Sequence, residues 1–402
     1  MQEAMIYDGL RTPFGRHAGA LAPVRPDDLL AGVIARLIER NRFPAGEIED
    51  VVIGGANQAG EDARNVARHA ALLAGVPESA GGVTVNRLCG SGLCAIADAA
   101  RAVRCGEGEL FVAGGVEVMS RAPFVMAKAT SAYSRQVSVF DSTIGARFPN
   151  PKVEARFGAD TMPQTADNIA AELGIRRDAS DRFALRSQEK YEAARADGFY
   201  DEEITPVEIP QGRGKPPTIV SADEHPRPQT SLSSLEKLKP LFEGGVVTAG
   251  NASGINDGAG ALLIGSEAIG ERLGVRPRGR IVAAAIAGVA PRLMGLGPVP
   301  AAKKALQRAG LSLAAMDVIE INEAFATQVL GCLAGLDLTP EDARLNPNGG
   351  AIAVGHPLGA SGARLALTAL RQLERIEGRY ALVSLCIGVG QGVAAVIERV
   401  RR

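Results

Sequence analysis

The stretch 83–103, VTVNRLCGSGLCAIADAARAV, decides how this chain is read. Val83, Thr84 and Val85 are β-formers, Gly90, Ser91 and Gly92 follow Cys89, and Leu93, Ile96, Ala97, Ala100 and Val103 then fall at helical spacing. The pattern predicts a strand, a tight turn and a helix opening at about Ser91. Cys89 then sits beside a helix N-terminus, where unpaired N–H groups and the macrodipole favour an anion. A thiolate is the reactive form of cysteine, and this position is expected to lower the thiol pKa. The glycines leave a substrate carbonyl room to approach the backbone. Taken alone, the stretch fits a nucleophile and a buried structural cysteine equally well, because free cysteine is among the most buried residue types.

Working outward, residues 4–118 alternate short apolar strands with helices. Strands are expected at Ala4–Tyr7, Asp50–Gly54 and Leu110–Gly114, and helices at Asp27–Arg40 and Ala63–Ala74. This βαβα order implies a mainly parallel sheet covered by helices. From Met119 to about residue 250 the texture is richer in charge, Pro and isolated turns, with one amphipathic helix at Ala179–Ala196; so long an excursion suits a lid or a binding surface. Buried-strand texture resumes at 251–276, and 277–402 repeats the first rhythm. EIEDVVIGG resembles AAMDVIEIN, matching Asp50 to Asp317, and CGSGLCAI resembles GASGARLA, matching Ser91 to Ser361. The two offsets are nearly equal, so two similar α/β halves about a pseudo-twofold axis are expected, with the insertion on the first.

Composition narrows the function. The 402 residues suit two or three domains, and a net charge of −1 favours neither nucleic acid nor an anionic membrane as partner. The five cysteines are scattered with no CxxC pair, which argues against a zinc site or a disulfide framework and for a reducing compartment. No segment reaches the length of a membrane span, and a cytoplasmic protein with no metal is expected.

Three further stretches offer chemistry. INEAFA follows the apolar run Val318–Ile321, so Asn322 and Glu323 emerge at a strand's C-terminal end, where open α/β sheets place ligands; the lesser alternative is that Asn322 caps the next helix. NPNGGAIAVGHPLGASG sets His356 among glycines before a helix at Ser361–Arg375, without the lysine of a phosphate loop. SLCIGVGQG runs from a strand at Ala381–Leu385 through Cys386. Its G-x-G-x-G hints at a dinucleotide fold, but the residues after Gly392 read as a strand, so no phosphate-facing helix can follow. A cysteine, a histidine to activate it and a second cysteine form a coherent set for acyl transfer. A protease would have no use for the second thiol.

NRLCGSG, NEAFA, GGAIAVGHPLGASG and CIGVGQG resemble the motif blocks of the thiolase family, acetyl-CoA C-acyltransferases, and the likeness runs from RTPFGR at Arg11 to the C-terminal glycines. The resemblance implies an α/β thiolase fold: two βαβαβαββ halves in a five-layered α-β-α-β-α arrangement with an inserted loop domain, in a homotetramer. The halves would be residues 1–118 with 257–276, and 277–402; the insertion, 119–256, would bind coenzyme A and make oligomer contacts. By motif, Cys89 matches the acyl-accepting nucleophile, His356 the base that deprotonates it, and Cys386 the acid/base at the acetyl-CoA α-carbon. Asn322 matches the residue holding the water that completes one oxyanion hole with His356, and the N–H groups of Cys89 and Gly388 match the second. Arg227, Ser234 and Ser253 resemble coenzyme A contacts, and Met162 resembles a methionine of the acyl pocket. Coenzyme A is then a co-substrate, with no permanently bound cofactor.

AGGVEVMSRAPFVM, DSTIGARF, ADTMPQTADN and EHPRPQT look most like 3-oxoadipyl-CoA (β-ketoadipyl-CoA) thiolases of bacterial aromatic catabolism. Ala146 stands where that group often has a bulky aromatic, and Thr161 where short-chain biosynthetic thiolases place histidine. A dicarboxylate acyl chain needs a cation or a set of hydrogen-bond donors in the pocket; among Arg121, Arg135 and Arg147 the candidate is Arg147, the alternative being that it is a surface or subunit-interface arginine. The alternatives are an acetoacetyl-CoA or broad β-oxidation thiolase and, in a different class, a non-catalytic acyl-CoA carrier, which would not need Cys89, His356 and Cys386 together. A decarboxylating ketosynthase would carry histidine in place of Cys386.

Overall fold

The computed structural model describes residues 2–41, 43–212 and 214–400. The first half runs β1 (Met5–Arg11), α1 (Pro26–Asn41), β2 (Asp50–Gly54), α2 (Val66–Leu73), β3 (Val83–Val85), α3 (Ser91–Cys105) and β4 (Leu110–Val118). An insertion containing α4 (Met162–Leu173) and α5 (Arg177–Ala196) follows, and β5 (Asn256–Gly265) closes the half. The second half repeats the order: β6 (Gly279–Gly288), α6 (Pro298–Ala309), β7 (Val318–Ile321), α7 (Ala326–Gly335), α8 (Leu358–Arg375), β8 (Tyr380–Ile387) and β9 (Gln391–Arg399). Where the first half has β3, the second keeps only a bridge between Ile319 and Leu345.

The strands run β7-β8-β9-β6-β1-β5-β4-β2-β3, and the two halves join edge to edge where Met5 and Ile6 pair with Arg280 and Gly279. The sheet is mixed rather than mainly parallel. Among the described residues only the β2–β3, β2–β4 and β7–β8 ladders are parallel, because β5 and β9 each return antiparallel along their half. For β9 the cause is local: Gly388–Val389–Gly390 is too short for a crossover, so β8 and β9 form a hairpin. CIGVGQG is therefore a hairpin turn and opens no helix.

Alternation along the strands produces the layers. Val52, Phe111, Ala113, Leu262, Ile264, Val383, Leu385, Ala395 and Ile397 face a central core shared with α3 and α8. Val51, Ile53, Leu110, Val112 and Leu263 point the other way, onto α1 and α2. Ile319, Ile321, Leu382, Ala394 and Val396 pack on α6 and α7. The result is the five-layered order expected, with α3 and α8 side by side in the middle.

Boundaries moved where tertiary pairing or backbone conformation overrode the local pattern. β1 and β4 extend to Arg11 and Val118 because both pair with β5. The second helix starts at Val66 rather than Ala63, since Ala63 and Arg64 have φ of +47° and +67°. The insertion belongs to the first half by sequence, yet α4 and α5 pack chiefly on α7 and its neighbours in the second half. No described helix is long and apolar enough to cross a membrane.

Candidate active site

The turn before α3 is held at several points. Asn86 accepts from the Leu88 N–H at 2.9 Å and donates to the Ala56 carbonyl at 3.0 Å. Ser91 accepts from the Arg87 N–H at 2.8 Å and donates to the Leu88 carbonyl at 2.6 Å. These bonds keep Leu88 at φ +47°, an unfavourable conformation for a residue with a Cβ, and so aim Cys89. The opposite wall is the β8–β9 turn, where Val389 has φ +64° and the Gly388 N–H favours the Cys89 thiolate.

The helix terminus does not lower the Cys89 thiol as the sequence suggested. Burial pushes it up to about 11, and the N–H groups of Gly388 and of Cys89 itself offset only part of that. Cys89 is only half-buried by surface, yet desolvation wins because an anion packed on this turn loses more from water than a few N–H dipoles return. Cys386 is buried, and burial together with the Cys89 and Cys332 thiols pushes it well above the ordinary range. Burial, then the Arg364 charge, pulls His356 down to about 3. At neutral pH the set therefore rests as two thiols and a neutral imidazole.

His356 is fixed on three sides. Its backbone N–H donates to Asn256 Oδ1 at 2.9 Å, and Asn256 Nδ2 donates in turn to the Gly15 carbonyl at 2.9 Å. Its Nδ1 lies 2.6 Å from Ser361 Oγ, whose own hydroxyl donates to the Pro357 carbonyl at 2.9 Å. Ser361 has one proton and has used it, so it accepts from Nδ1–H, and the tautomer assigned by this network leaves Nε2 unprotonated, as an acceptor. Asn322 Nδ2 stands 3.4 Å from that nitrogen, and Asn322 Oδ1 is buried with no partner among the described residues. Asn322 is not a helix cap, for α7 opens four residues later with Phe325 at its cap.

Glycine brings the two turns together. A Cβ on Gly115 would lie 1.9 Å from the Gly359 carbonyl oxygen, and one on Gly92 would lie 2.4 Å from it. The backbone after His356 therefore rests directly on the helix after Cys89.

Four residues support the site, and of these only Glu323 stands out in the sequence as chemistry-bearing. Glu117 accepts from the N–H groups of Ala56, Asn57 and Gly359 at 2.9, 2.8 and 2.9 Å, tying the base's turn to the first sheet, and burial raises its carboxyl to about 7. Glu323 accepts from Ser187, Asn346 and the Ile352 N–H, which makes it a pin between α5 and the glycine-rich loop. Asn256 acts from a hundred residues away. Ser361 stood out in the sequence only as a repeat match.

Met162 opens α4 and joins Cys386, Ala252, Ala324 and Phe325 in one apolar cluster, with its sulfur 3.5 Å from where a Gly388 Cβ would be. Ser253 donates its N–H to the Ala324 carbonyl at 3.0 Å, beside Asn322. Arg227 is exposed, two residues after His225, whose ring packs against Gly254 and so lies next to Asn256. Ser234 is exposed at the short helix Leu232–Glu236, and its hydroxyl donates to the Ser231 carbonyl at 2.7 Å. Among the three arginines, Arg121 forks onto Glu61 and Arg135 is exposed. Arg147 is half-buried and donates only to neutral acceptors, Asn57 Oδ1 at 3.0 Å and the Ala56 carbonyl at 3.5 Å. Among the described residues no group of three or more His, Cys, Asp or Glu side chains is placed to hold a metal ion.

Comparison with known proteins agrees over the whole chain. Residues 4–268 match the family model "Thiolase, N-terminal domain" and residues 275–399 the model "Thiolase, C-terminal domain". The chain is 59% identical over 402 residues, the full length of both, to a "Beta-ketoadipyl-CoA thiolase" of Escherichia coli. It is 44% identical, over 99% of this chain and all of the relative, to an "Acetyl-CoA acetyltransferase" of Pseudomonas aeruginosa. Among solved structures, human mitochondrial 3-ketoacyl-CoA thiolase in complex with CoA superposes with a TM-score of 0.91 at 37% identity, covering 99% of this chain and 98% of that one.

Proposed function

The chain belongs to the thiolase family of acyltransferases, and from that premise we propose that it cleaves 3-oxoadipyl-CoA with coenzyme A, giving acetyl-CoA and succinyl-CoA. The observation that carries the reaction is the close packing of the two turns, which sets His356, its Nε2 left unprotonated by the Nδ1–Ser361 bond, against the turn that bears the Cys89 thiol. Cys89 attacks the 3-oxo carbonyl as its proton passes to His356 Nε2, so the thiolate is made only when an electrophile is there to receive it. The N–H groups of Cys89 and Gly388, already at the sulfur, would stabilise the oxyanion. The C2–C3 bond breaks, leaving a succinyl thioester on Cys89 and the enolate of acetyl-CoA, to which Cys386 gives its proton. The unpaired Asn322 Oδ1 fits a residue that accepts from a bound water, and such a water would serve the enolate oxygen together with His356. Coenzyme A then passes its thiol proton back to Cys386 and takes the succinyl group, while the Cys89 sulfur, as it leaves, recovers its proton from His356.

The acyl chain is read from the higher identity to a relative of that name and from Arg147. Its guanidinium makes no ion pair among the described residues, and it shares the Ala56 carbonyl with Asn86, three residues before the nucleophile. Its charge also bears on Asp62, whose carboxyl burial raises to about 6 and Arg147 pulls part of the way back. Arg227, Ser253 and Ser234 would meet coenzyme A along the rim, Ser234 by sharing a hydroxyl now spent on its own cap, and Met162 would line the acyl pocket. The exposed Phe124, Met126, Tyr133 and Val137 suit the insertion to contacts between copies in a homotetramer.

Thiolysis of acetoacetyl-, 3-oxohexanoyl- and 3-oxoadipyl-CoA in parallel tests the substrate. 3-Oxoadipyl-CoA should give the highest kcat/KM, and Arg147→Ala should lower that value by about 2–4 kcal/mol, roughly 30- to 10³-fold, while sparing acetoacetyl-CoA. Equal losses on both substrates would make Arg147 structural, and a wild type that prefers acetoacetyl-CoA would make it a short-chain enzyme.

A further inference from the structure

The strand and the helix that flank the base carry a second polar rung behind it. Glu320 and Asn322 are two apart on and just past β7, and Ser361 and Arg364 three apart on α8, so each pair shares a face. His356 spans the first rung, between Asn322 and Ser361. On the second, Arg364 Nη1 donates to Glu320 Oε2 at 3.4 Å, with side-chain exposures of 3% and 0%. This pair is loose. Glu320 Oε1 and both Nε and Nη2 of Arg364 lack partners among the described residues, although a guanidinium fork could hold a carboxylate with two bonds. A buried pair with such geometry does not repay its desolvation, so stability is a poor account of it.

We propose that Glu320 and Arg364 are positioning residues for acyl transfer, Arg364 opposing the imidazolium that forms on His356 and Glu320, when ionised, masking that opposition. The idea rests on His356 being the base. When Cys89 gives up its proton, His356 becomes a cation, and the charge that burdens it is Arg364. Burial raises the Glu320 carboxyl to about 8; Arg364 and Lys190 pull it down, while Glu323 and Glu203 push it up. The other three groups are committed: Glu323 to Ser187 and Asn346, Glu203 to Arg11 and Thr368, and Lys190 to the Leu345 carbonyl. Glu320 is thus the group free to change charge. Below the alkaline range it is neutral and Arg364 acts unmasked; above, it is ionised and His356 becomes a better base.

The test is the rate at which acetyl-CoA acylates Cys89, read by quenching and mass spectrometry from pH 6 to 9.5, with each variant expressed as a ratio to wild type. No coenzyme A thiol is needed in this half-reaction, so its ionisation does not enter. Glu320→Gln copies the protonated acid: its ratio should be near one at pH 6 and fall roughly three- to tenfold by pH 9.5, the range of about one unit in base strength. Arg364→Met should show the reverse, a ratio above one at pH 6 that approaches one at pH 9.5, and Arg364→Lys should restore the wild-type profile. If Arg364→Met does not fold by thermal melt, the Glu320→Gln and Arg364→Lys profiles decide. Ratios that are low and independent of pH would mean the pair only supports the fold, and would overturn the proposal. Loss of acylation in wild type would instead remove the reading of the site itself.

Discussion

In the first half, Ser91 opens α3, donates to the carbonyl of Leu88 and accepts from the backbone N–H of Arg87. In the second half its repeat partner Ser361 lies in the first turn of α8, donates to the carbonyl of Pro357 and accepts from the imidazole of His356. Both hydroxyls spend their proton on the preceding turn; they differ in what their lone pair holds. One fixes a backbone and thereby a nucleophile two residues upstream. The other fixes a side chain, five residues upstream, and its tautomer. The position equivalent to Cys89 in the second half is Gly359, where a Cβ would lie 2.4 Å from the Val116 carbonyl oxygen. The second turn can therefore carry no nucleophile, because its backbone is the surface on which the first turn rests. Duplication supplied two turns, and close packing between them forced them to diverge.

The largest effect should come from removing the side chain that only one turn can carry. Cys89→Ala should reduce thiolysis by more than about 10⁴-fold and abolish the acyl adduct that mass spectrometry detects on wild type after brief substrate exposure. An adduct found on Cys386 instead would exchange the roles of the two thiols and break the comparison at its centre. Next comes Cys386→Ser. The hydroxyl is a far weaker acid than a thiol, so proton transfer at the α-carbon should drop by about 10²–10⁴-fold while acylation of Cys89 by a simple acyl-CoA survives. Equal loss in both half-reactions would show that Cys386 supports the first turn and moves no proton.

How much of this could be read from the sequence follows from where the causes lie. Asp50–Gly54, Val83–Val85 and Val318–Ile321 match their predicted strands residue for residue, because each is a short apolar run bounded by turn residues. The nucleophile, base and second thiol were legible because glycines flank each of them. Other features depend on contacts the local sequence does not encode. Asn256 reaches His356 across the sheet, Glu117 serves three N–H groups from two segments, and the direction of the Cys89 shift depends on burial that only the fold creates. The sheet's mixed character has the same origin. The βαβα rhythm is parallel, but the returns of β5 and β9 are not part of that rhythm.

The smallest effect tests the serines directly. Ser361→Ala leaves the Nδ1–H of a buried imidazole without an acceptor, a cost of about 1–3 kcal/mol that the ring can escape by moving its proton to Nε2. That tautomer has no lone pair to take the Cys89 proton, and it turns an N–H toward Asn322 Nδ2, itself a donor. The variant should thus lose roughly tenfold or more in kcat with KM little changed and a modest fall in melting temperature. Ser91→Ala removes two backbone-directed bonds, about 1 kcal/mol each. Its loss should appear first in melting temperature, with kcat held within about threefold because Asn86 and the Gly90 and Ser91 N–H bonds to Arg87 and Leu88 still brace the turn. A pair of variants with equal kcat and equal melting temperature would mean that the two serines do one scaffold task, and that the divergence between the halves lies wholly in Cys89 and His356.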